Sequence, residues 1–214
     1  MKKTIIAATM ALGMGLSAMA QSTNPLLERR YNTPYEIPPF EKITTDNYRE
    51  AFLRGMEEQK KEIDAIVDNS EAPTFQNTIA ALDRSGQLLN RTAGVFYGLS
   101  RSCSTPELQN LESELSPLLS AHSDYMNMNE GLFLRVKAVY DGQDKLNLNT
   151  EEKRLLEKTY KGFVRGGAML DDAKKQRRSE INQQLAKLQL QFNQNLMHDT
   201  NNSYVTVSDA KELE

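Results

Sequence analysis

Between positions 73 and 96, apolar or small residues recur at Phe75, Ile79, Leu82, Gly86, Leu89, Ala93 and Phe96. The steps alternate between four and three, which holds one stripe along one side of a helix and suits shallow-angle packing against a neighbour. Thr74 follows Pro73 and is a good N-cap, because its hydroxyl can accept an otherwise orphaned backbone N–H. Gly86 falls on the seam, where a missing side chain lets another backbone approach. It costs about 1 kcal/mol of helix propensity relative to Ala. The pattern predicts one central helix over 73–96, with partners on either side, and the rest of the chain organised around it.

The same periodicity recurs on both sides. Upstream, Thr45 is expected to cap a helix over 46–67, with Asp46 in the first turn. Its stripe is Tyr48, Phe52, Met56, Ile63, Ile66 and Val67, opposite a charged face in which Glu57 and Lys61 are spaced to pair. Downstream, Thr105-Pro106-Glu107 is a strong start signal for Leu108, Leu111, Leu115, Leu118, His122 and Tyr125. Pro117 lies inside that pattern and should kink it or split it in two. Asn129-Glu130 opens a short helix with Leu132, Phe133, Val136 and Val139 inward, closed at Asp141-Gly142. Asn149 or Thr150 caps the next, which uses Leu155, Leu156, Thr159, Tyr160, Phe163 and Val164 and ends near Gly166-Gly167. Asp171 or Asp172 opens a last long helix along Ile181, Leu185, Leu188, Phe192 and Leu196. The alternating Tyr204-Val205-Thr206-Val207 is the one strand candidate. These readings predict an all-α fold, a multi-helix antiparallel bundle over 45–200, with 201–214 starting a following segment that looks cut short.

Before the first helix the chain reads differently. Residues 21–44 carry Pro25, Pro34, Pro38 and Pro39 with little periodicity. They read as an extended arm with Ile37, Phe40 and Ile43 pinned on the domain surface. Residues 1–20 have the pattern of an export signal: Lys2 and Lys3, an apolar run from Ile5 to Leu16, and the small-residue cleavage site Ala18-Met19-Ala20. The run is short for a membrane span. The expected mature chain begins at Gln21, in the periplasm and free of the membrane. Losing Lys2 and Lys3 takes the formal charge from −3 to −5, so no basic field marks a nucleic-acid binder.

Chemistry is sparse. One cysteine, Cys103, excludes an internal disulfide framework and a cysteine metal cluster. A half-buried thiol is expected there, and no base accompanies it. Zinc hydrolysis needs two or three imidazoles or carboxylates converging on one point, whereas His122 and His198 stand far apart. His122 reads as a hydrogen-bonded core residue, and His198 as a residue near a helix end. The acid pairs Glu151-Glu152 and Asp171-Asp172 sit at helix starts, where the dipole explains them. Lys174, Lys175, Arg177 and Arg178 read as a solvated face, and Met126 and Met128 as gap fillers. No HExxH, phosphate loop or G-x-S-x-G elbow occurs in these 214 residues. No catalytic, cofactor-binding or metal position emerges.

An ordered series of short motifs says more. Asn24-Pro25-Leu26-Leu27, Pro38-Pro39-Phe40-Glu41-Lys42-Ile43, and Tyr48 with Ala51-Phe52 come first. Then follow PTFQNTIAALDRSGQLL from Pro73, Ala121-His122 with Asp124, Leu132-Phe133 with Arg135, and Phe163-Val164-Arg165-Gly166-Gly167-Ala168 with Leu170. Asn182, Leu185, Leu188, Phe192 and Asn195-Leu196 continue it. The series resembles the N-terminal part of bacterial peptidyl-dipeptidases, in the thimet oligopeptidase and oligopeptidase A family of zinc metallopeptidases. The resemblance implies a helical wall of a deep channel that admits only short peptides. It also implies a later half carrying zinc on a HExxH motif and a further glutamate, none of which is in this chain. The expected function is therefore the channel-wall portion of an exported hydrolase, a protease that releases C-terminal dipeptides. Zinc belongs to the full-length family rather than to this portion. The alternative is a stand-alone helical module derived from that family that binds peptides or a protein without cleaving them.

Overall fold

The computed structural model describes residues 24–209 and Lys211. The expected export signal at 1–20 lies outside the described residues. The described fold is all-α, with no strand among the described residues.

Helix α1 (Thr45–Val67) is the element with most neighbours, touching α2, α3, α4, α5 and the N-terminal arm. Its cap is Thr44, one residue earlier than expected. The Thr44 hydroxyl accepts the Asn47 N–H, and the Asn47 side chain accepts the Thr44 N–H in return. That reciprocal box needs a side chain at the third helical position that can accept the cap N–H, here the Asn47 amide oxygen. Tyr48, Phe52, Met56, Ile63 and Ile66 are buried as the spacing predicts.

The expected single helix over 73–96 is two. Thr74 does cap, again in a reciprocal box with Asn77. Phe75–Ala80 then winds as a wide π turn that runs on through Ala81–Asp83, together α2. The chain breaks at Arg84, Ser85 and Gly86 before α3 (Gln87–Ser102). Gly86 has φ +70°, a left-handed conformation that glycine adopts without steric cost. Its N–H donates to Glu62 Oε2 at 2.7 Å, so α1 satisfies the broken turn. A seam glycine is present as expected, but it ends one helix and starts another. The close backbone approach falls at Gly55 of α1, where an added Cβ would lie 2.9 Å from the Leu89 Cα.

Helix α4 (Pro106–Asn127) starts at the Thr105 cap and passes Pro117 without splitting. A proline removes one donor from the ladder, and burial of Leu108, Leu111, Leu115 and His122 holds the helix together on both sides of it. Leu118 points out to solvent rather than inward. Asn129 caps α5 (Glu130–Asp141), whose four expected core residues are all buried. Asn149 caps α6 (Thr150–Gly166) in a reciprocal box with Glu152. Gly167, at φ +93°, terminates α6 in the left-handed conformation. Asp171 caps α7 (Asp172–Asn202), which packs along α4.

Two apolar cores result. The first joins Leu26, Tyr48, Phe52, Met56, Leu89, Phe96, Leu108, Leu111 and Leu115. Phe96 meets Tyr48 and Phe52 edge-on, at centroid distances of 5.2 and 5.4 Å. The second joins Ile63, Ile66, Phe75, Ile79, Leu132, Val136, Leu156 and Phe163, with Tyr140 stacked on Tyr160 at 4.0 Å.

Two further expectations fail. Of the expected anchors of the arm, Ile43 packs against the first core, but Ile37 and Phe40 are exposed, and the buried residues Leu26, Tyr31 and Pro39 hold it instead. Its short 3-10 turns are tied to the domain by Arg91, which donates to the carbonyls of Leu26 and Arg29. Asn201 and Asn202 complete α7, and Tyr204-Val205-Thr206-Val207 forms no strand. Alternation alone does not make a strand when no partner strand is present among the described residues to share its ladder.

Candidate functional site

Groups with catalytic potential are dispersed over the surface or locked into the scaffold. Cys103 is exposed at the C-terminal end of α3 rather than half-buried. His198 is exposed beside Asp199 near the end of α7. Glu152 is used up capping α6, and Asp171 caps α7 while pairing with Lys174. Hydrogen bonds from Lys174 hold the Asp171 carboxyl below its usual range. Arg177 pairs with Glu180 on the solvated side of α7. Met126 is half-buried against the second core, as a gap filler would be. Among the described residues, no three His, Cys, Asp or Glu side chains converge where they could hold a metal ion. The donors among the described residues do not fit zinc.

The buried polar groups are instead structural. Gln59 sits on the α1 seam between Met56 of the first core and Ile63 of the second. Its Oε1 lies 2.8 Å from His122 Nε2, and its Nε2 donates to Ser85 Oγ at 3.2 Å. Ser85 Oγ donates on to the Leu82 carbonyl. Burial, with the Lys60 ammonium nearby, pushes the His122 imidazole below its ordinary pKa. Arg135 on α5 is also buried. It donates to the carbonyls of Asn69 and Glu71 and clamps the α1–α2 loop to the second core.

His122 was legible as a core histidine. Gln59 and Arg135 were not singled out for these roles. The signal for Gln59 was the gap in the α1 stripe: between Met56 and Ile63, the seam position three residues on holds a glutamine. Burial pushes the Tyr48 hydroxyl up to about 12, and the hydrogen bond to Asp64 does the same for Tyr125, also to about 12.

The surface feature best suited to engaging another molecule is α7. Between α4 and α7 runs a groove of about 930 Å³ lined by Ser113, Pro117, Gln183, Lys187, Gln191 and Gln194. Along the helix, Ile181, Leu185, Leu188, Phe192 and Leu196 are exposed by 41%, 48%, 60%, 66% and 54%. From Asn182 to Met197 the only charged residue is Lys187. An apolar stripe bordered by uncharged amides, in a chain with 26% charged residues, has the charge depletion of a surface meant to be covered.

No family model matches the chain. Against individual proteins, it is 39% identical over 189 residues to dipeptidyl carboxypeptidase of Salmonella typhimurium, covering 88% of this chain. It is 37% identical over 190 residues to dipeptidyl carboxypeptidase of Escherichia coli, covering 89%. Both relatives in the 37–39% range are thus dipeptidyl carboxypeptidases by name. Oligopeptidase A of Escherichia coli is 29% identical over 191 residues. In each case the match takes up nearly the whole of this chain but only 27% or 28% of the relative. The chain thus spans little more than a quarter of the length of the curated relatives it matches.

Proposed function

We propose that this chain is the N-terminal, channel-wall portion of an exported zinc metallopeptidase that releases dipeptides from the C-termini of short peptides. The observation that carries this reading is the 37–39% identity to dipeptidyl carboxypeptidases over most of the chain. It is supported by the exposed stripe on α7. In this reading, zinc and the groups that activate water lie in sequence beyond these 214 residues. These helices contribute shape, limiting which peptides reach the metal. The basic, apolar and small-residue pattern of 1–20 supports export to the periplasm with cleavage after Ala20.

Reading the coding DNA past the Glu214 codon tests the proposal. An open frame that reaches HExxH and a later Glu is the expected result. A stop codon there, with purified protein that binds short peptides without cleaving them, would overturn it. Intact mass of the secreted protein tests export, with a new N-terminus at Gln21 expected.

A further inference from the structure

Three separate segments cross from one apolar core to the other, and each places a polar group at the same level. Helix α1 does so with Gln59, α4 with His122, and the α2–α3 break with Ser85 and Gly86. On one side of this layer lie Met56, Leu89 and Leu115, and on the other Ile63 and Ile79. Gln59 has no freedom in the layer. A Cβ on Gly86 would lie 2.3 Å from its Nε2, so the glycine backbone forms one wall of its slot.

The direction of each hydrogen bond follows. Ser85 Oγ donates to the Leu82 carbonyl and therefore accepts from Gln59 Nε2. That assigns Oε1 to face His122, so the imidazole donates through Nε2–H. Nδ1 then carries the lone pair, and it is buried without a hydrogen-bond partner. A second proton on the ring would have to sit on Nδ1, facing no acceptor. The charged groups around the layer offer no relief. Glu62 accepts from Gly86 N–H, Asp64 from the Tyr125 hydroxyl, and Asp124 from Asn182. Lys60 sits over the Tyr125 ring. Asp83 and Arg84 flank Ser85 in the break, and Arg178 comes in from α7. None of these hydrogen-bonds to His122 among the described residues.

We propose that the Gln59–His122–Ser85 layer makes the junction of the two cores acid-sensitive: its hydrogen bonds are satisfied when His122 is neutral, and a proton added at Nδ1 would be buried with no acceptor while Nε2–H still donates to Gln59 Oε1. The folded state resists the proton that the unfolded chain accepts near pH 6.5. Stability is therefore full above that pH and falls as the pH drops below it, with up to one proton taken up on unfolding.

The test compares the wild-type chain with His122→Gln, which keeps a neutral donor toward Gln59, from pH 7.5 to 5.5. Above the range where most carboxylates titrate, the wild-type urea midpoint should decline with falling pH and that of the variant should stay level. If the variant fails to fold, NMR titration of the wild type decides, with His122 expected to titrate below the ordinary imidazole range. Parallel pH profiles for the two proteins, or an ordinary imidazole titration of His122, would overturn the proposal.

Discussion

Replacing Gly55 with alanine measures how closely α1 and α3 are packed. At this point an added Cβ lies 2.9 Å from both the backbone N and the Cα of Leu89. Both are backbone atoms, so no side-chain rotation relieves the overlap and the helices must separate. Overpacking of this kind costs about 1–3 kcal/mol. The same substitution also raises helix propensity by about 1 kcal/mol, which would mask part of the cost if Gly55→Ala were measured alone. Gly94, exposed within α3, supplies the control, since nothing lies within 4 Å of a Cβ added there. Gly94→Ala should gain the propensity term and pay nothing else. The difference between the two variants then isolates the clash, about 1–3 kcal/mol. At about 2–4 °C per kcal/mol for a chain of this size, Gly94→Ala should melt above the wild type. Gly55→Ala should melt several degrees below Gly94→Ala. Thermal melts followed by circular dichroism, with urea titrations for the free energies, read this out. Equal midpoints for the two variants would refute the close approach of α1 and α3. Rescue of Gly55→Ala by Leu89→Ala would show that the obstruction is a side chain instead.

Arg135→Met keeps much of the volume but removes the donors to Asn69 and Glu71. It should cost about 1.5–3 kcal/mol in urea titration, and a neutral result would show the clamp to be idle. Leu26→Ala opens a cavity in the first core, at an expected cost of about 2–5 kcal/mol, and should speed limited proteolysis between Glu28 and Ile43. Unchanged proteolysis would place the arm's anchor elsewhere. Cys103 should react with a thiol reagent in the native protein as fast as in urea, because it is exposed. Strong native protection would contradict its position. Leu188→Glu with Phe192→Glu should leave the melting of this chain within about 0.5 kcal/mol of the wild type, since both residues are more than half exposed. In a full-length peptidase, if the proposed function holds, the same pair should lower stability or activity markedly.

The ends of helices were the most legible features, because each is decided by a few adjacent atoms. Thr74, Thr105 and Asn129 all cap where the sequence places them, and Asn149 and Asp171 were each one of two candidates. The Thr44 cap was displaced by one residue, since two threonines stand together and the choice rests on Asn47 reaching back. The break at Gly86 was hidden for a different reason. The three–four periodicity continues across it, with Leu82 and Leu89 both facing inward, so the apolar pattern alone reads as one helix. What decides the break lies 24 residues away in the Glu62 carboxylate and in the space occupied by Gln59. Gly55 was missed because a small residue in a charged stretch gives no local sign of the backbone that will pass it. Tyr204–Val207 failed in the opposite sense, since a local pattern existed with no pairing partner among the described residues. No positive site could be read, and the surface that invites one, the α7 stripe, looks in sequence like the core-facing stripes of α1 and α5.

That ambiguity bears on which element organises the fold. The regular stripe over 73–96 suggested a centre, yet α1 is the helix that contributes buried residues to both cores and touches the most neighbours. Regular spacing measures how well one face of a helix can be buried, and says nothing about how many neighbours share it. Helix α1 carries Ala51 and Gly55 on its seam beside Phe52 and Met56, so α3 can come close while α4 and the arm reach its flanks. Helix α7 has large residues at every stripe position and meets α4 through a different face, with Asn182 bonded to Asp124 and Gln194 to Ser113. Ala186 and Leu190 are half-buried on that face as well, while the larger stripe residues stay mostly exposed. A helix that leaves its larger apolar residues facing outward is oriented for a second partner, and the α7 stripe is the face such a partner would cover.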